Sequence, residues 1–246
     1  MIDFLNNIDT QIFLFFNNTV RLSALDNFMM LFSGKFIWVP MYASLLYILI
    51  KSFTPRQVLI YVAAIALTIT LADQTCATLI RPAVERLRPS NLDNPLSALT
   101  TVVNDYRGGA YGFPSCHAAN SFALAVFSSL LLRRRRFTIF IFAWAAFNAY
   151  TRIHLGVHYP GDLLVGGIIG STCGWICYRL GRLVDSRHNA DTALAMSQPG
   201  ISLPVGLQLT PTLSFNTITI QLGDIMICTG AVSYTHLRAH ETGRNL

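Results

Sequence analysis

Long apolar stretches that end at basic residues dominate this sequence and restrict the folds open to it. A transmembrane helix needs about 20 mostly apolar residues. Five stretches approach that length: 37–50 (extending back towards Phe28), 58–80, 118–132, 137–153 and 163–180. Charged residues make up 12% of the chain, whereas soluble domains average about 25%. The sequence therefore predicts an all-α, polytopic transmembrane helix bundle of about five to six spans, and it excludes a soluble, disordered or disulfide-stabilised protein.

The first 32 residues differ from these spans because polar residues interrupt their apolar clusters. The interrupting residues are Asn6, Asn7, Asn17, Asn18 and Asp26. This pattern is typical of an amphipathic segment. We expect the N-terminal segment to lie in the membrane interface, or to enter the membrane and return.

The positive charge is distributed unevenly between the two sets of loops. One set contains Lys51, Arg56, the run 133–136 and the basic residues after the last span. Because Lys and Arg are retained in cytoplasmic loops, this set is expected to face the cytoplasm. The net charge of +6 then reflects the orientation of the protein in the membrane, and no nucleic-acid partner is expected. The other set of loops is predicted to face outward.

Three clusters of ionisable residues lie in the outward set, each beside the end of a span: 81–89, 113–117 and 151–162. Ionisable groups at the edge of a bilayer are costly, so they are candidates for function. Arg81, Arg88 and Arg152 supply three guanidinium groups that can bind phosphate oxygens. Ser115 and Cys116 open a predicted helix, whose first N–H groups favour an anion. These five residues are predicted to bind a phosphate group.

Two histidines in the same clusters are predicted to do different chemistry. His158 precedes Asp162 by four residues, and a carboxylate can orient an imidazole ring and raise its basicity. His158 is therefore predicted to attack phosphorus, with Asp162 as its partner. His117 is predicted to protonate the leaving oxygen and then to activate water.

The clusters resemble the three-part signature of the type-2 phosphatidic acid phosphatase (lipid phosphate phosphatase) superfamily. That signature reads Lys-x6-Arg-Pro, then Pro-Ser-Gly-His, then Ser-Arg-x5-His-x3-Asp, and all three parts occur in order over 81–162. The chain departs from it at Arg81 for Lys, Cys116 for Gly and Thr151 for Ser. The resemblance implies a membrane-embedded lipid phosphatase that uses a phosphohistidine intermediate and needs no cofactor.

The resemblance leaves the substrate open among lipid phosphates. Undecaprenyl diphosphate ranks first, since the compact spans are like those of the family's bacterial undecaprenyl-diphosphate phosphatases. Lipid A, phosphatidylglycerol phosphate and phosphatidic acid are the alternatives, and a catalytically silent protein that binds lipid phosphates is an alternative of another class. The expected partners are the lipid substrate and the bilayer. The active site is expected at the periplasmic or outer face of a bacterial inner membrane.

A competing hypothesis places a metal ion at His154, His158 and Asp162, whose spacing is that of ligands on one helix face. Pro160 and Gly161 interrupt the helix between the second and third of these residues. The ligands therefore need not share a face, and no metal is predicted.

Small and polar residues inside the spans are expected to serve packing. Gly166, Gly170 and Gly174 recur every four residues on the last span, which predicts close approach of a neighbouring helix. Asp73 and Asn148 are expected to form hydrogen bonds between helices.

The composition changes after the last span. Residues 1–183 are predicted to form the membrane-embedded phosphatase domain, and 184–231 an extension with strand-like alternation at 207–210 and 218–222. The segment 232–242 reads like a translated frame of a common sequencing adapter. Residues 232–246 are therefore interpreted as an artefact, and His236 and His240 are left out of the site.

Overall fold

The computed structural model describes residues 2–197, 215–222 and 225–232. The helices are α1 (Ile2–Leu14), α2 (Asp26–Phe32), α3 (Val39–Ser52), α4 (Pro55–Gln74), α5 (Arg81–Val84), α6 (Cys116–Leu132), α7 (Arg135–His154) and α8 (Pro160–Ser197). A π-helical segment, Thr75–Ile80, joins α4 to α5. The described part of the chain also contains an antiparallel pair of strands, β1 (Phe215–Leu222) and β2 (Ile225–Val232).

The strand pattern predicted at 218–222 lies within β1. The strand pattern predicted at 207–210 lies outside the described residues. So does the segment 232–246 apart from its first residue, and with it His236 and His240. Helix α8 runs without interruption past residue 183, where the sequence composition changes.

Among the residues that the structure describes, two helices have the length and apolarity of a membrane span, Pro55–Val84 and Pro160–Arg187. Helices α2 and α3 together qualify as a third span, but they meet at an angle of 67°. The predicted extension of the first span back towards Phe28 is therefore present but bent. Ser33 ends α2 and Gly34 follows it, and such Gly/Ser pairs are a recurrent cause of kinks. The fold is a transmembrane helix bundle, and the count of five to six spans stays a prediction.

Helix α6 is the centre of the bundle and packs against α4, α7 and α8. Its approach to α8 depends on the predicted glycines. A Cβ atom at Gly166, Gly170 or Gly174 would lie 2.4, 1.9 or 2.5 Å from a backbone carbonyl oxygen in or just before α6. Only glycine permits this distance between the helices, which confirms the predicted close packing.

Local signals fix where the helices around the site begin. Thr54 and Gln57 form a capping box at α4, and the Ser115 hydroxyl oxygen caps α6. Pro160 starts α8, where its fixed φ suits the first turn. The Ser115 N–H donates a hydrogen bond to the carbonyl oxygen of Asp162 at 3.0 Å. The second and third sequence clusters therefore meet at one end of the bundle.

The N-terminal segment exposes both apolar and polar side chains and buries Phe13 and Asn17. Phe4 and Leu5 are 66% and 58% exposed, whereas Asn17, in the turn after α1, is fully buried. The Asn17 amide donates hydrogen bonds to the carbonyl oxygens of Thr101, Ile153 and His154. Asp3, Asn6 and Asn7 are also exposed, so the interfacial position of this segment stays a prediction.

Candidate active site

The structure brings all eight predicted site residues together at the end of the bundle where α6 and α8 begin. Arg81 lies in α5 and Arg88 in the loop after it, and Ser115, Cys116 and His117 lie at the start of α6. Arg152 lies in the last turn of α7, His158 in the loop that follows, and Asp162 in the first turn of α8.

His158 and Asp162 form a buried pair in which the imidazole orientation is fixed. His158 Nδ1 lies 3.2 Å from Asp162 Oδ2, and the Tyr159 N–H donates to the same oxygen at 3.0 Å. With the Nδ1 proton on this bond, Nε2 carries the lone pair. His158 Nε2 lies 2.8 Å from Arg88 Nη1. The nitrogen predicted to attack phosphorus thus lies next to a guanidinium that can hold a phosphate oxygen.

The environment of His158 keeps its ring neutral. Burial, followed by the positive charges of Arg88, Arg152 and Arg81, lowers the pKa of His158 well below 6.5, against an opposing hydrogen bond with the Gly112 backbone. An uncharged imidazole at neutral pH keeps the lone pair that nucleophilic attack requires.

Cys116, which stands where the family signature has glycine, takes part in positioning Arg81. Arg81 Nη2 donates to Cys116 Sγ at 3.0 Å and to the Pro114 carbonyl oxygen at 3.1 Å. The cysteine side chain also packs against Cys76. The added side chain is thus accommodated and serves as a hydrogen-bond acceptor for the first arginine of the site.

Arg88 and Arg152 are held by different parts of the chain. Arg88 Nη1 donates to the Val157 carbonyl oxygen at 3.2 Å. Arg152 donates through Nη1 to the Ser33 hydroxyl and through Nη2 to the Tyr106 hydroxyl at 3.2 Å. The loop between α5 and α6 and the bend between α2 and α3 therefore both contribute to the site.

None of the three arginines has a negative partner in the described part of the chain, although Arg88 and Arg152 are buried and Arg81 is half-buried. Within the described residues, no carboxylate lies within 4.0 Å of Arg81, Arg88 or Arg152. The Nε atom of each is buried and lacks a hydrogen-bond partner there. Burial, with Arg152 and Arg81 nearby, lowers the pKa of Arg88 to about 10, so it stays charged at neutral pH. Unpaired buried charge is costly, and a bound anion would compensate it.

His117 lies in the first turn of α6, within electrostatic reach of Arg152, His158 and Arg88. Ser115, which precedes this turn, is fully buried. Its oxygen accepts from the Ala118 N–H at 3.5 Å, which leaves the hydroxyl proton to donate. The placement of both residues agrees with the predicted contacts to a phosphate group.

Sequence reasoning missed a second partner of Asp162. Arg86 Nη1 donates to Asp162 Oδ1 at 2.9 Å and lies 2.7 Å from Asp9 Oδ2. Asp9 Oδ1 also accepts from the Gly161 N–H at 2.7 Å. Asp9 and Gly161 are 152 residues apart in sequence, and nothing in the sequence pattern links them.

Gly112 and Lys35 are two further residues that the sequence analysis did not place in the site. A Cβ atom at Gly112 would lie 3.1 Å from both Arg88 Cγ and Asp162 Oδ2. Glycine at this position therefore lets the backbone pass close to the pair formed by His158 and Asp162. Lys35 adds positive charge near Tyr106 and His117. Burial favours a higher pKa for Tyr106, but Arg152, Arg88 and Lys35 outweigh burial and lower it.

His154 lies outside this cluster. Its ring is buried, and Nε2 lies 2.9 Å from Asp26 Oδ1, which ties α2 to the end of α7. His154 therefore does not converge with His158 and Asp162. The absence of a metal from the reaction stays a prediction.

The PAP2 superfamily model matches residues 57–185 of this chain. The chain belongs to the PAP2 superfamily. A PAP2 relative from Bacteroides thetaiotaomicron, named lipid A 4'-phosphatase, is 52% identical over 84% of this chain and 94% of its own length. A lipid A 4'-phosphatase from Porphyromonas gingivalis is 32% identical over 72% of this chain and 75% of its own length.

More distant relatives extend the comparison. An undecaprenyl-diphosphatase from Sulfolobus acidocaldarius is 28% identical over 66% of this chain and 71% of its own length. The crystal structure of a transmembrane PAP2-type phosphatidylglycerolphosphate phosphatase from Bacillus subtilis matches with a TM-score of 0.52 at 17% identity, over 74% of this chain and 87% of that one. This PAP2 protein is thus an integral-membrane lipid phosphatase, and the predictions of family, fold class and hydrolase activity are confirmed.

Proposed function

We propose that this PAP2 enzyme removes the 4'-phosphate of lipid A. Sequence similarity to the two lipid A 4'-phosphatases supports this substrate. The support for undecaprenyl diphosphate, ranked first from the sequence, is weaker, because the relative of that specificity is 28% identical. Lipid A, an alternative in the sequence analysis, therefore replaces it.

The observation that carries the phosphatase chemistry is the group of three arginines around His158, whose Nε2 lies 2.8 Å from Arg88 Nη1. Arg81, Arg88 and Arg152 each retain a buried Nε donor without a partner in the described residues. A phosphate monoester offers three non-bridging oxygens, and guanidinium groups bind such oxygens in pairs. The arginines would also stabilise the charge that these oxygens carry in the transition state.

The first proposed step transfers the phosphoryl group to the enzyme. His158 Nε2 forms a bond to phosphorus while the bond from phosphorus to the 4'-oxygen of the lipid breaks. Asp162 accepts the hydrogen bond from Nδ1 and stabilises the positive ring. His117 gives its proton to the leaving oxygen, so the lipid departs with a free hydroxyl. The bound phosphate favours protonated His117 because its charge offsets the arginines.

The second step releases phosphate. His117, now neutral, takes a proton from water, and the water oxygen attacks phosphorus as the P–N bond breaks. His158 returns to its starting state and inorganic phosphate leaves. We assign Arg81, Arg88, Arg152, Ser115 and Cys116 to the phosphate-binding part of the site, the last through its contact with Arg81.

The location we propose is a bacterial inner membrane with the active site on the periplasmic face. The support is the run Arg133–Arg136 at the end of α6 away from the site, since such runs favour the cytoplasm. The substrate would then be lipid already present in the outer leaflet.

A substrate panel tests the proposal. The purified enzyme in detergent is given lipid A carrying only the 4'-phosphate, lipid A carrying only the 1-phosphate, undecaprenyl diphosphate, phosphatidylglycerol phosphate and phosphatidic acid, with EDTA present. We expect phosphate release to be fastest from the 4'-phosphate, and absent with His158→Gln. Equal or faster release from undecaprenyl diphosphate would restore the sequence-based ranking.

A further inference from the structure

A cavity of about 560 Å³ adjoins the active site between α3, α4, α6 and α7. Its volume lies within the range of about 300–1,000 Å³ that small-molecule sites occupy. His117, Ser33 and Lys35 line one end of it. Because Ser33 accepts a hydrogen bond from Arg152, this end is continuous with the phosphate site.

The lining changes in polarity with distance from His117. Asn120 and Ser121, one helical turn further along α6, line the cavity, and Leu124 lines it one turn beyond them. At a rise of about 1.5 Å per residue, the polar turn lies roughly 5 Å from His117. The rest of the lining beyond that turn is mainly aliphatic, with Leu45 among the lining residues from α3.

The polar turn has unused hydrogen-bonding capacity. Asn148, on α7, also lines the cavity, and its Nδ2 donates to Ser121 Oγ at 2.6 Å. Among the described residues, Asn148 Oδ1, Asn120 Oδ1 and Trp144 Nε1 are buried and have no hydrogen-bond partner. Three cavity-lining residues can thus accept from or donate to a further polar group, whereas a purely hydrocarbon occupant would leave all three unpaired.

The cavity opens onto the apolar surface of the bundle. Tyr42 and Leu46 on α3 and Val62 on α4 line it and are 43%, 43% and 39% exposed. Its mouth therefore lies between α3 and α4, on a side where apolar residues face outward. A lipid chain can enter there while its headgroup stays at the phosphate site.

We propose that this cavity binds one acyl chain of the lipid substrate, and that Asn120, Ser121 and Asn148 recognise a hydroxyl or amide on that chain close to the headgroup. The proposal rests on the proposed function and deepens it. A polyprenyl chain has no polar group beyond its diphosphate, so it would leave these side chains unpaired. The cavity therefore favours a hydroxylated or amide-linked acyl chain over a polyprenyl chain.

A pair of tryptophan variants on α4 tests the occupancy of the cavity. Ile65 lines the cavity, whereas Leu67 lies on the same helix, is 45% exposed and does not line it. The readout is the ratio of kcat/KM for 4'-phosphorylated lipid A to kcat/KM for p-nitrophenyl phosphate, which has no chain. We expect Ile65→Trp to lower this ratio at least tenfold and Leu67→Trp to leave it unchanged. If the Ile65 variant does not fold, Leu46→Trp at the mouth replaces it.

Chain chemistry is tested with two synthetic lipids that carry the same phosphorylated sugar, one with 3-hydroxyacyl chains and one with plain acyl chains. We expect the parent enzyme to prefer the hydroxylated lipid at least fivefold, and Asn148→Leu to remove this preference. Equal effects of Ile65→Trp and Leu67→Trp, or no preference in the parent, would overturn the proposal. Failure of the parent to hydrolyse either lipid while it hydrolyses undecaprenyl diphosphate would instead refute the proposed function.

Discussion

At the scale of single residues, the Asp162 carboxylate accepts hydrogen bonds from three partners through its two oxygens. Oδ2 accepts from His158 and from the Tyr159 backbone, and Oδ1 accepts from Arg86. Arg86 also stacks on the Tyr159 ring at 3.9 Å and pairs with Asp9. Arg86 therefore fixes the carboxylate that in turn fixes the imidazole, and we assign it a positioning role.

Replacement of Arg86 tests this role. We expect Arg86→Gln to lower kcat/KM by about tenfold to a hundredfold, because a loosened carboxylate lets the His158 ring move from its attacking position. Loss of the guanidinium also makes the ionised form of Asp162 less stable, so the acid limb of the pH–rate profile should move to higher pH.

The control for this variant is Arg107→Gln, at an arginine that pairs with the exposed Asp105 in the loop before α6. The Arg107→Gln enzyme should keep the pH–rate profile of the parent enzyme. An Arg86→Gln enzyme with reduced activity but an unmoved acid limb would argue against the positioning role.

The eight predicted site residues could be found from the sequence because they lie in three short clusters, each with a recognisable spacing of residues. Asp9 could not, since its partners Arg86 and Gly161 are brought to it only by the packing of α1. Gly112 could not, because the need for glycine comes from the approach of Arg88 and Asp162. Long-range contacts of this kind leave no periodic or local signal.

At the scale of elements, the packing of α6 on α8 holds the second and third motifs together. A methyl group at Gly170 would lie 1.9 Å from the Ala119 carbonyl oxygen, a backbone atom that cannot move aside. At Gly167 the nearest atom would be 3.3 Å away on the Phe122 ring, which can rotate. These two glycines, three residues apart on one helix, offer a matched comparison.

We expect Gly170→Ala to lower stability by about 1–3 kcal/mol through overpacking, which exceeds the gain of about 1 kcal/mol from replacing a helical glycine by alanine. Gly167→Ala should be neutral or slightly stabilising. Thermal unfolding in detergent measures both variants. Equal Tm values for the two variants would show that the α6–α8 distance is not limited by glycine.

Apolar stretches that end at basic residues predicted most of the long helices, because such stretches are local features of the sequence. The bend between α2 and α3 was missed, since average hydropathy continues across Ser33 and Gly34. The sequence pattern of the first 32 residues predicted an amphipathic segment. It could not predict the burial of Asn17, because that burial depends on the carbonyl groups of Thr101, Ile153 and His154. Hydropathy records which residues are polar and not which partners they find.

At the scale of the whole molecule, the active site and the arginine run 133–136 lie at opposite ends of α6. That helix has 17 residues, which corresponds to roughly 25 Å at about 1.5 Å per residue. The predicted crossing of the membrane by α6 would place these two ends on opposite sides of the apolar layer. The proposed periplasmic site follows from placing the arginines in the cytoplasm.

Single-cysteine labelling tests this orientation. Leu92, in the loop over the site, is 76% exposed, and Arg135, which begins α7, is also exposed. In an active background without native cysteines, Leu92→Cys should react with an impermeant maleimide on spheroplasts. Arg135→Cys should react only after the membrane is broken. The reverse pattern would place the active site in the cytoplasm.

The covalent intermediate on His158 is the central claim, and direct identification of the phosphorylated residue tests it. The enzyme is mixed with lipid A that carries a radiolabelled 4'-phosphate, denatured within milliseconds in alkaline detergent, and digested for mass spectrometry. We expect the label on His158, stable to alkali and lost in acid, and absent from His158→Gln. Label on His117 or another residue, or an unlabelled parent enzyme quenched during active turnover, would contradict the mechanism.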